Sequence, residues 1–261
     1  MFPYRGHTAL ITGASIGIGE EFARVLAARG MNLVLVARNT EQMNAIAGDL
    51  KAKHGTQVHV IGCDLSRDTA STELADEVRK TGVTVDLLIN NAGFMTYGPF
   101  ETIDPAQEHK EIMVNITAMV DLTHIYLPGM LKRQMGGVIN VASIAGFQPI
   151  PLLTTYAATK AFVISFSVAL WEECRGRNVR VLGLCPGTTK TELFERASAQ
   201  NAAVGGVRTV QQVVATALKG LDRKKSLVVD GFKNKLLTEG PRFIPKWFAA
   251  ICAGQAVKAK K

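Results

Sequence analysis

The stretch Thr8-Ala-Leu-Ile-Thr-Gly-Ala-Ser-Ile-Gly-Ile-Gly19 decides the fold of this chain. Its first five residues form an apolar run that suits a buried strand, and the residues from Ile18 to Arg29 have the spacing of a helix that Gly30 ends. Glycines between a strand and a helix let the backbone approach a phosphate, to which the helix N-terminus offers unpaired N–H groups. The stretch therefore predicts a nucleotide-binding turn, although a tight strand–helix connection alone would need similar residues.

The rest of the chain alternates short apolar runs with helical patterns. Further strands are predicted at Asn32–Ala37, Gln57–Gly62, Val85–Asn90, Val138–Val141, Val179–Leu184 and Leu227–Val229. Helices are predicted from a cap at Thr40 to Lys53, and at Ser66–Arg79, Pro105–Arg133 (with a kink or break at Pro128), Thr154–Arg175 and Val210–Leu221. Strands that are apolar throughout, alternating with helices, indicate a buried parallel sheet. We therefore predict an α/β fold, a doubly wound three-layer sandwich around seven parallel strands.

Composition limits the classes of protein that this chain can be. With 261 residues and 47% hydrophobic content, we expect a single domain over residues 1–261, with an insertion at 187–207 and an extension at 231–261. The net charge is +8, but no nucleic-acid motif accompanies the basic residues. The four cysteines form no C-x-x-C pair and the histidines have no ligand spacing, which predicts free thiols and no metal. We expect no signal peptide, no membrane span and a cytoplasmic location.

Short motifs follow the strands in a fixed order. They are Thr12-Gly13-x-x-x-Gly17-x-Gly19, Asp64-Leu65, Asn90-Asn91-Ala92-Gly93, Asn115, Ser143, Tyr156-x-x-x-Lys160, and Pro186-Gly187 with Thr191 beyond. In this order and spacing the chain resembles the short-chain dehydrogenase/reductase family from Thr8 to about Val229. The resemblance implies a Rossmann-like fold and a nicotinamide cofactor. On these motifs, the predicted cofactor-binding residues are Gly13, Ser15, Gly17, Ile18, Gly19, Arg38, Asp64, Leu65, Asn91, Ala92, Gly93, Tyr156, Lys160, Pro186, Gly187 and Thr191.

The end of the second strand indicates which cofactor is preferred. Relatives that bind NAD carry an acidic residue there, which bonds the ribose hydroxyls. This chain has Ala37 followed by Arg38, whose planar guanidinium suits the 2′-phosphate of NADP. We predict NADP(H), with Ser15 adding a hydroxyl, although Arg38 could also be a solvated loop cation.

Four residues are the predicted catalytic set: Asn115, Ser143, Tyr156 and Lys160. Tyr156 and Lys160 lie one helical turn apart and share a face. A phenol of pKa ~10 is a poor base, and an ammonium beside it favours the phenolate. Ser143 can hydrogen-bond the substrate oxygen. The resemblance further implies that Lys160 bonds the nicotinamide ribose and that Asn115 holds a water that links Lys160 to solvent.

Apolar residues near these motifs suggest the substrate. Phe94, Met95, Phe147, Leu153 and Phe194 predict a pocket for an apolar ketone or aldehyde, although each could equally be a core residue. The predicted function is hydride transfer between NADP(H) and such a carbonyl or its alcohol, in the manner of a carbonyl reductase. One alternative is an epimerase or dehydratase of the extended branch, whose glycine spacing differs. The other is a non-catalytic NADP-binding module that senses redox state or binds a partner.

Two segments suggest contacts beyond the active site. The helices Ile112–Met130 and Thr154–Arg175 are expected to form a homodimer or homotetramer, on the resemblance and on their apolar residues. The tail after Gly231 carries an apolar stripe at helical spacing, followed by lysines at its end: Ile244, Trp247, Phe248, Ile251, then Lys258, Lys260 and Lys261. The stripe could pack on the protein's own core or a partner, cover the substrate entrance, or touch a membrane peripherally.

Overall fold

The computed structural model describes residues 1–189 and 206–258, and its centre is a seven-stranded sheet. The strand order is β3-β2-β1-β4-β5-β6-β7, and every neighbouring pair is parallel. The predicted fold class is confirmed. The strands are β1 Thr8–Thr12, β2 Asn32–Ala37, β3 Val58–Gly62, β4 Leu87–Asn90, β5 Gly136–Val141, β6 Val179–Cys185 and β7 Leu227–Val229.

Helices cover both faces of this sheet, because successive residues of each strand face opposite ways. Ile11 and Leu35 pack with helices of one face, whereas their neighbours Leu10 and Val34 pack with helices of the other. The described helices are α1 Gly17–Ala28, α2 Thr40–His54, α3 Ala70–Lys80, α4 Pro105–Ile112, α5 Ala118–Arg133, α6 Thr154–Cys174, α7 Val210–Asp222, α8 Phe232–Glu239 and α9 Lys246–Lys258. Helices α1, α2 and α7 lie on the first face, and α3, α5 and α6 on the second.

Three local predictions need correction. The cap of α2 is Asn39 and not Thr40, because the Asn39 side chain accepts the hydrogen bond from the Gln42 backbone. Helix α3 begins at Ala70 and not at Ser66, since the Asp64 carboxylate binds Ser66 and turns the chain first. Pro128 does not break its helix.

The long helix between β4 and β5 is interrupted elsewhere. A π-turn over Met113–Thr117 separates α4 from α5 and contains Asn115. Turns of this kind are frequent at functional sites. The sequence pattern gave no sign of it.

The tail forms α8, a 3₁₀ turn at Gly240–Phe243, and α9. The side of α9 that faces the protein carries Ala249, Ala253 and Val257, which are buried. Small residues at every fourth position let a helix lie close to its neighbour, and for this reason they form the side of α9 that packs against the protein. The predicted stripe is exposed instead (Ile244 36%, Trp247 66%, Phe248 44%, Ile251 51%), so its packing on the protein's own core was a wrong interpretation. Among the described residues, no helix is long and apolar enough to cross a bilayer.

Candidate active site

The predicted motifs meet at the carboxyl edge of the sheet. The glycine turn follows β1, Asn91 follows β4, Ser143 follows β5, and Pro186 follows β6. Open α/β sheets bind ligands at this edge, where the strand order reverses between β1 and β4. A cavity of about 1180 Å³ runs along it. A cavity of that size exceeds the ~300–1,000 Å³ of usual small-molecule sites, so a dinucleotide and a substrate both have room.

Backbone geometry makes the glycine turn suited to a pyrophosphate. Gly13 and Gly17 have φ of 64° and 62°, in the left-handed region that glycine enters without strain. A Cβ at Gly19 would overlap the carbonyl oxygen of Gly13, so helix α1 can approach β1 only without a side chain there. The residue that precedes α1, Ile16, supplies no side-chain cap. The first N–H groups of α1 thus lack a side-chain acceptor, and they fit an anionic ligand.

Hydrogen bonds fix this turn against β4. The Thr12 hydroxyl accepts from the backbone N–H groups of Asn91 and Ala92, each at 3.0 Å. The Asn91 amide donates to the carbonyl oxygens of Thr12 (2.9 Å) and Gly13 (3.2 Å). Thr12 therefore positions two predicted binding residues. Its motif was recognised in the sequence, but this role was not.

Arg38, Asp64 and Leu65 line the far end of the cavity, on the side of β2 and β3. Arg38 is exposed directly after the end of β2, where this chain has no acidic side chain. Burial raises the pKa of Asp64, but hydrogen bonds from the Ser66 backbone and hydroxyl outweigh it and leave the pKa below its usual range. Lys110 also lines this end, and its charge stabilises the Asp64 carboxylate. Arg38 and Lys110 together make the end cationic.

The predicted catalytic side chains lie at the middle of the cavity. Tyr156 is 8% exposed, and its hydroxyl is hydrogen-bonded with Ser143. The Ser143 hydroxyl oxygen also accepts from the Ala145 backbone at 3.1 Å, which holds its rotamer. Lys160 is 5% exposed, and its Nζ donates to the Val141 carbonyl oxygen at 3.0 Å. The tyrosine, serine and lysine therefore converge as predicted, and their roles stay predictions.

Burial dominates the ionisation of Tyr156 and Lys160. It raises the pKa of Tyr156 to about 12, despite the opposing hydrogen bond from Ser143. It lowers the pKa of Lys160 to about 8, against the opposing effect of the Glu111 carboxylate. The Lys160 Nζ lies 5.6 Å from the Tyr156 ring centroid, but in the protein alone burial dominates the pKa of the phenol, so the expected help of Lys160 to the phenolate stays a prediction.

Asn115 lies behind the cavity wall and not in it. Its Oδ1 accepts from the Phe94 backbone (3.2 Å), and its Nδ2 donates to the Phe94 carbonyl (3.0 Å) and the Thr159 hydroxyl (3.2 Å). A Cβ at Gly93 would lie 2.9 Å from Asn115 Oδ1 and 3.4 Å from Lys160 Nζ. Asn115 Oδ1 and Lys160 Nζ thus border the same small space, which only glycine leaves open.

Apolar side chains line the remaining part of the cavity. They include four of the predicted substrate residues, Phe94, Met95, Phe147 and Leu153, while Phe194 and Thr191 lie outside the described residues. The tail supplies a second apolar wall that the sequence motifs did not indicate: Leu237, Pro241, Ile244, Ala249, Ala253 and Val257. The only sequence signal for this wall is the spacing of the small residues in the tail. Within the described ranges, no group of three or more His, Cys, Asp or Glu side chains could hold a metal ion.

A family model described as short chain dehydrogenase matches residues 7–202. The chain belongs to the short-chain dehydrogenase family. Its members are NAD(P)-dependent oxidoreductases, and the predictions of reaction class and cofactor class are confirmed. A very-long-chain 3-oxoacyl-CoA reductase from Mus musculus is 32% identical over 221 residues, which cover 80% of this chain and 70% of that protein. Across the similar curated reductases, the matched stretch spans between 51% and 70% of their length.

Solved structures of this family share the fold closely. A short-chain dehydrogenase from Sphingobium yanoikuyae in complex with NADPH is 33% identical, with a TM-score of 0.80, covering 85% of this chain and 87% of that one. A bulky-bulky ketone specific alcohol dehydrogenase from Comamonas testosteroni is 33% identical, with a TM-score of 0.76 and 85% of each chain covered. In this short-chain dehydrogenase, the glycine turn, the cationic end and the buried tyrosine fit a nicotinamide dinucleotide.

Proposed function

We propose that this protein uses NADPH to reduce the keto group of a bulky, largely apolar substrate, with long-chain 3-oxoacyl thioesters as the first candidate class. One observation carries the proposal. The cavity that holds the glycine turn and Tyr156 continues without interruption into a chamber with two apolar walls. Long acyl chains and steroid-like ketones would bury their apolar surface there, at about 25 cal/mol per Å² removed from water.

The preference for NADPH rests on Arg38. The guanidinium stands where the adenosine ribose of a bound dinucleotide would end, and Ala37 before it offers no carboxylate. A fork of N–H donors binds a phosphate through two hydrogen bonds. Lys110 adds a second positive charge at this end of the cavity.

The state of Tyr156 supports its role as the general acid when a carbonyl is reduced. With a pKa of about 12, its hydroxyl remains protonated throughout the neutral range. A protonated phenol can donate to a carbonyl oxygen, but it cannot accept a proton from an alcohol. When bound, NADPH supplies the hydride that the carbonyl carbon accepts. Tyr156 then gives its proton to the oxygen, while the Ser143 hydroxyl orients that oxygen and stabilises the developing charge.

Lys160 holds positive charge next to this reaction. Its pKa of about 8 leaves it mostly protonated at neutral pH, although burial opposes the charge. The bond from Nζ to the Val141 carbonyl fixes the side chain and leaves two of its three N–H donors for other partners. Lys160 is therefore placed to bind a ribose hydroxyl and to replace the proton that Tyr156 loses.

The surroundings of the chamber support an anionic carrier and an apolar environment. Lys233 and Lys235 are exposed on α8, the helix whose Leu237 lines the chamber. Thioester carriers bear phosphates, which such cations attract. On the outer side of the tail, Phe243 is 85% and Trp247 66% exposed. Aromatic side chains beside lysines are typical of helices that lie on a membrane surface, and we propose that contact for the tail.

The remaining assignments are proposals of the same kind. A homo-oligomer through α5 and α6 is supported by exposed apolar side chains on these helices, namely Ile125, Phe162 and Val168. A cytoplasmic location agrees with four cysteines that form no disulfide.

A substrate panel tests the function. NADPH consumption is measured with long-chain 3-oxoacyl thioesters, steroid-like ketones, bulky aryl ketones and short methyl ketones. We expect the bulky substrates to have at least tenfold higher kcat/KM than the short ones. A protein that binds NADPH but reduces no carbonyl compound would instead be the non-catalytic module.

A further inference from the structure

A buried carboxyl pair lies directly behind the predicted catalytic residues. Glu111 is fully buried at the end of α4, one turn before Asn115. Its Oε2 accepts hydrogen bonds from the backbone N–H and the hydroxyl of Thr96, both at 2.7 Å. Its Oε1 has no hydrogen-bond partner among the described residues. A buried ionised carboxylate with an unpaired oxygen is costly, so this group needs an explanation.

The contacts of the Thr96 hydroxyl limit how the pair can be protonated. It lies 2.7 Å from Glu111 Oε2 and 2.9 Å from Glu108 Oε1. A hydroxyl has a single proton to donate, so it can satisfy only one ionised carboxylate. The second short contact is favourable only if the other carboxyl is protonated and donates to the threonine oxygen. The second oxygen of Glu108 is also buried without a partner among the described residues.

We propose that Glu111 and Glu108, joined through the Thr96 hydroxyl, share one proton at neutral pH and serve as the proton store for Lys160. The role as a proton store rests on the proposed function, whereas the shared proton does not. Because Glu111 acts through Lys160 and does not itself touch the substrate, it is a positioning residue and not a catalytic one.

The charges around the pair agree with this role. Glu111 receives the field of Glu108 from its own helix and of Lys160 from α6, and Thr96 contacts it from the segment after β4. Burial raises its pKa to about 7, which the bonds from Thr96 and the charge of Lys160 oppose only in part. Its carboxylate in turn raises the pKa of Lys160 and of Tyr156. Cys185, the other titratable group that acts on Lys160, is held neutral by burial.

The proton balance of one reduction is complete with these groups. The substrate oxygen takes one proton from Tyr156, and that proton is replaced from Lys160. The Lys160 amine takes a proton from the Glu111 carboxylic acid. The pair has then lost its single proton, and Glu108, which is partly exposed, takes one from water. The Thr96 hydroxyl passes this proton to the Glu111 carboxylate, since it accepts one proton and gives up another.

Infrared titration of the protein without cofactor is the first test. A carbonyl-stretch band of a protonated carboxylic acid should be present at pH 6 and disappear as the pH rises through about 7. Glu111→Gln should remove it, and Glu108→Gln should move its loss to lower pH because the repulsion within the pair is gone. Glu77→Gln, on the exposed surface of α3, is the matched control and should change nothing. Absence of the band in the wild-type protein at pH 6 overturns the proposal, even if no variant folds.

The pH profile of alcohol oxidation is the second test. Removing the Glu111 charge lowers the pKa of Tyr156 and Lys160. The rise of kcat/KM with pH should therefore begin about one pH unit lower in Glu111→Gln, which is a tenfold change in proton concentration. Glu111→Asp, which keeps the charge, should restore most of the wild-type profile. An unchanged profile in Glu111→Gln refutes the link to Lys160. If Tyr156→Phe retains activity, the proposed function fails, whereas the infrared result on the pair still stands.

Discussion

Replacing Tyr156 with phenylalanine removes one oxygen atom from the site and almost nothing else. The ring stays in its buried position, because its contacts with Met95 and Leu153 are apolar. The lost hydrogen bond to Ser143 costs about 0.5–1.5 kcal/mol of stability, partly offset because the phenol no longer has to be desolvated. The melting temperature should therefore fall by no more than a few degrees.

The loss of activity should be much larger. Without the phenol, the proposed proton donor to the substrate oxygen is gone, and the Ser143 hydroxyl is left to orient that oxygen. General acid help contributes about 10²–10⁴-fold, and each tenfold step corresponds to about 1.36 kcal/mol of the barrier. We expect kcat to fall by that factor, while the Kd for NADPH changes less than threefold, because the glycine turn and the cationic end do not involve the phenol.

Tyr126→Phe is the matched control. Tyr126 lies on α5, outside the cavity, and burial raises its pKa to about 12 as it does for Tyr156. Its buried hydroxyl has no hydrogen-bond partner among the described residues. Removing it should leave kcat unchanged and stabilise the protein by up to ~1–3 kcal/mol. Stopped-flow turnover, NADPH fluorescence titration and thermal melts of both variants give the answer. Tyr156→Phe with kcat within fivefold of the wild type would refute the assigned acid.

Further measurements address the cofactor, the pH dependence, the tail and the assembly. Arg38→Ala should weaken NADPH binding by about 10- to 150-fold, as expected for a hydrogen bond to a charged group worth ~1.5–3 kcal/mol, and leave NADH binding unchanged; equal affinities for the two cofactors in the wild type would show a solvated cation. Carbonyl reduction should decline as the pH rises through about 7 to 8, where Glu111 and then Lys160 lose their protons; a rate that does not fall at alkaline pH would contradict this assignment. Trp247→Asp should reduce co-sedimentation with anionic vesicles without changing kcat for soluble substrates, and equal sedimentation would argue against membrane contact. Light scattering at micromolar concentration should give a dimer or tetramer mass, and a monomer mass would count against the interface on α5 and α6.

The sheet was predictable because its signal is local and repeated. Each strand is an apolar run between turn residues, and the bounds of β2 and β7 were predicted to the residue. Two errors lie at the starts of helices, where one side chain decides the outcome. Asn39 and Asp64 both fold back on the backbone, and these bonds moved the starts of α2 and α3.

The site was predictable to the extent that its chemistry requires particular residues at a particular spacing. A close approach to a phosphate needs glycines at 13, 17 and 19, and a shared helix face needs the Tyr156–Lys160 spacing. The sequence alone therefore determined the family and the cofactor class, and it predicts the position of the reaction. Tertiary structure decided what surrounds them. Burial sets the pKa of Tyr156 and Lys160, and it depends on residues far apart in the chain. The carboxyl pair at Glu108 and Glu111 exists only because Thr96 folds onto α4, and the second apolar wall exists only because α9 turns its alanines inward. Periodicity shows that a helix has an apolar side. Small residues allow the closest packing, however, and only the folded chain shows that α9 packs through its small residues and not through its large apolar ones.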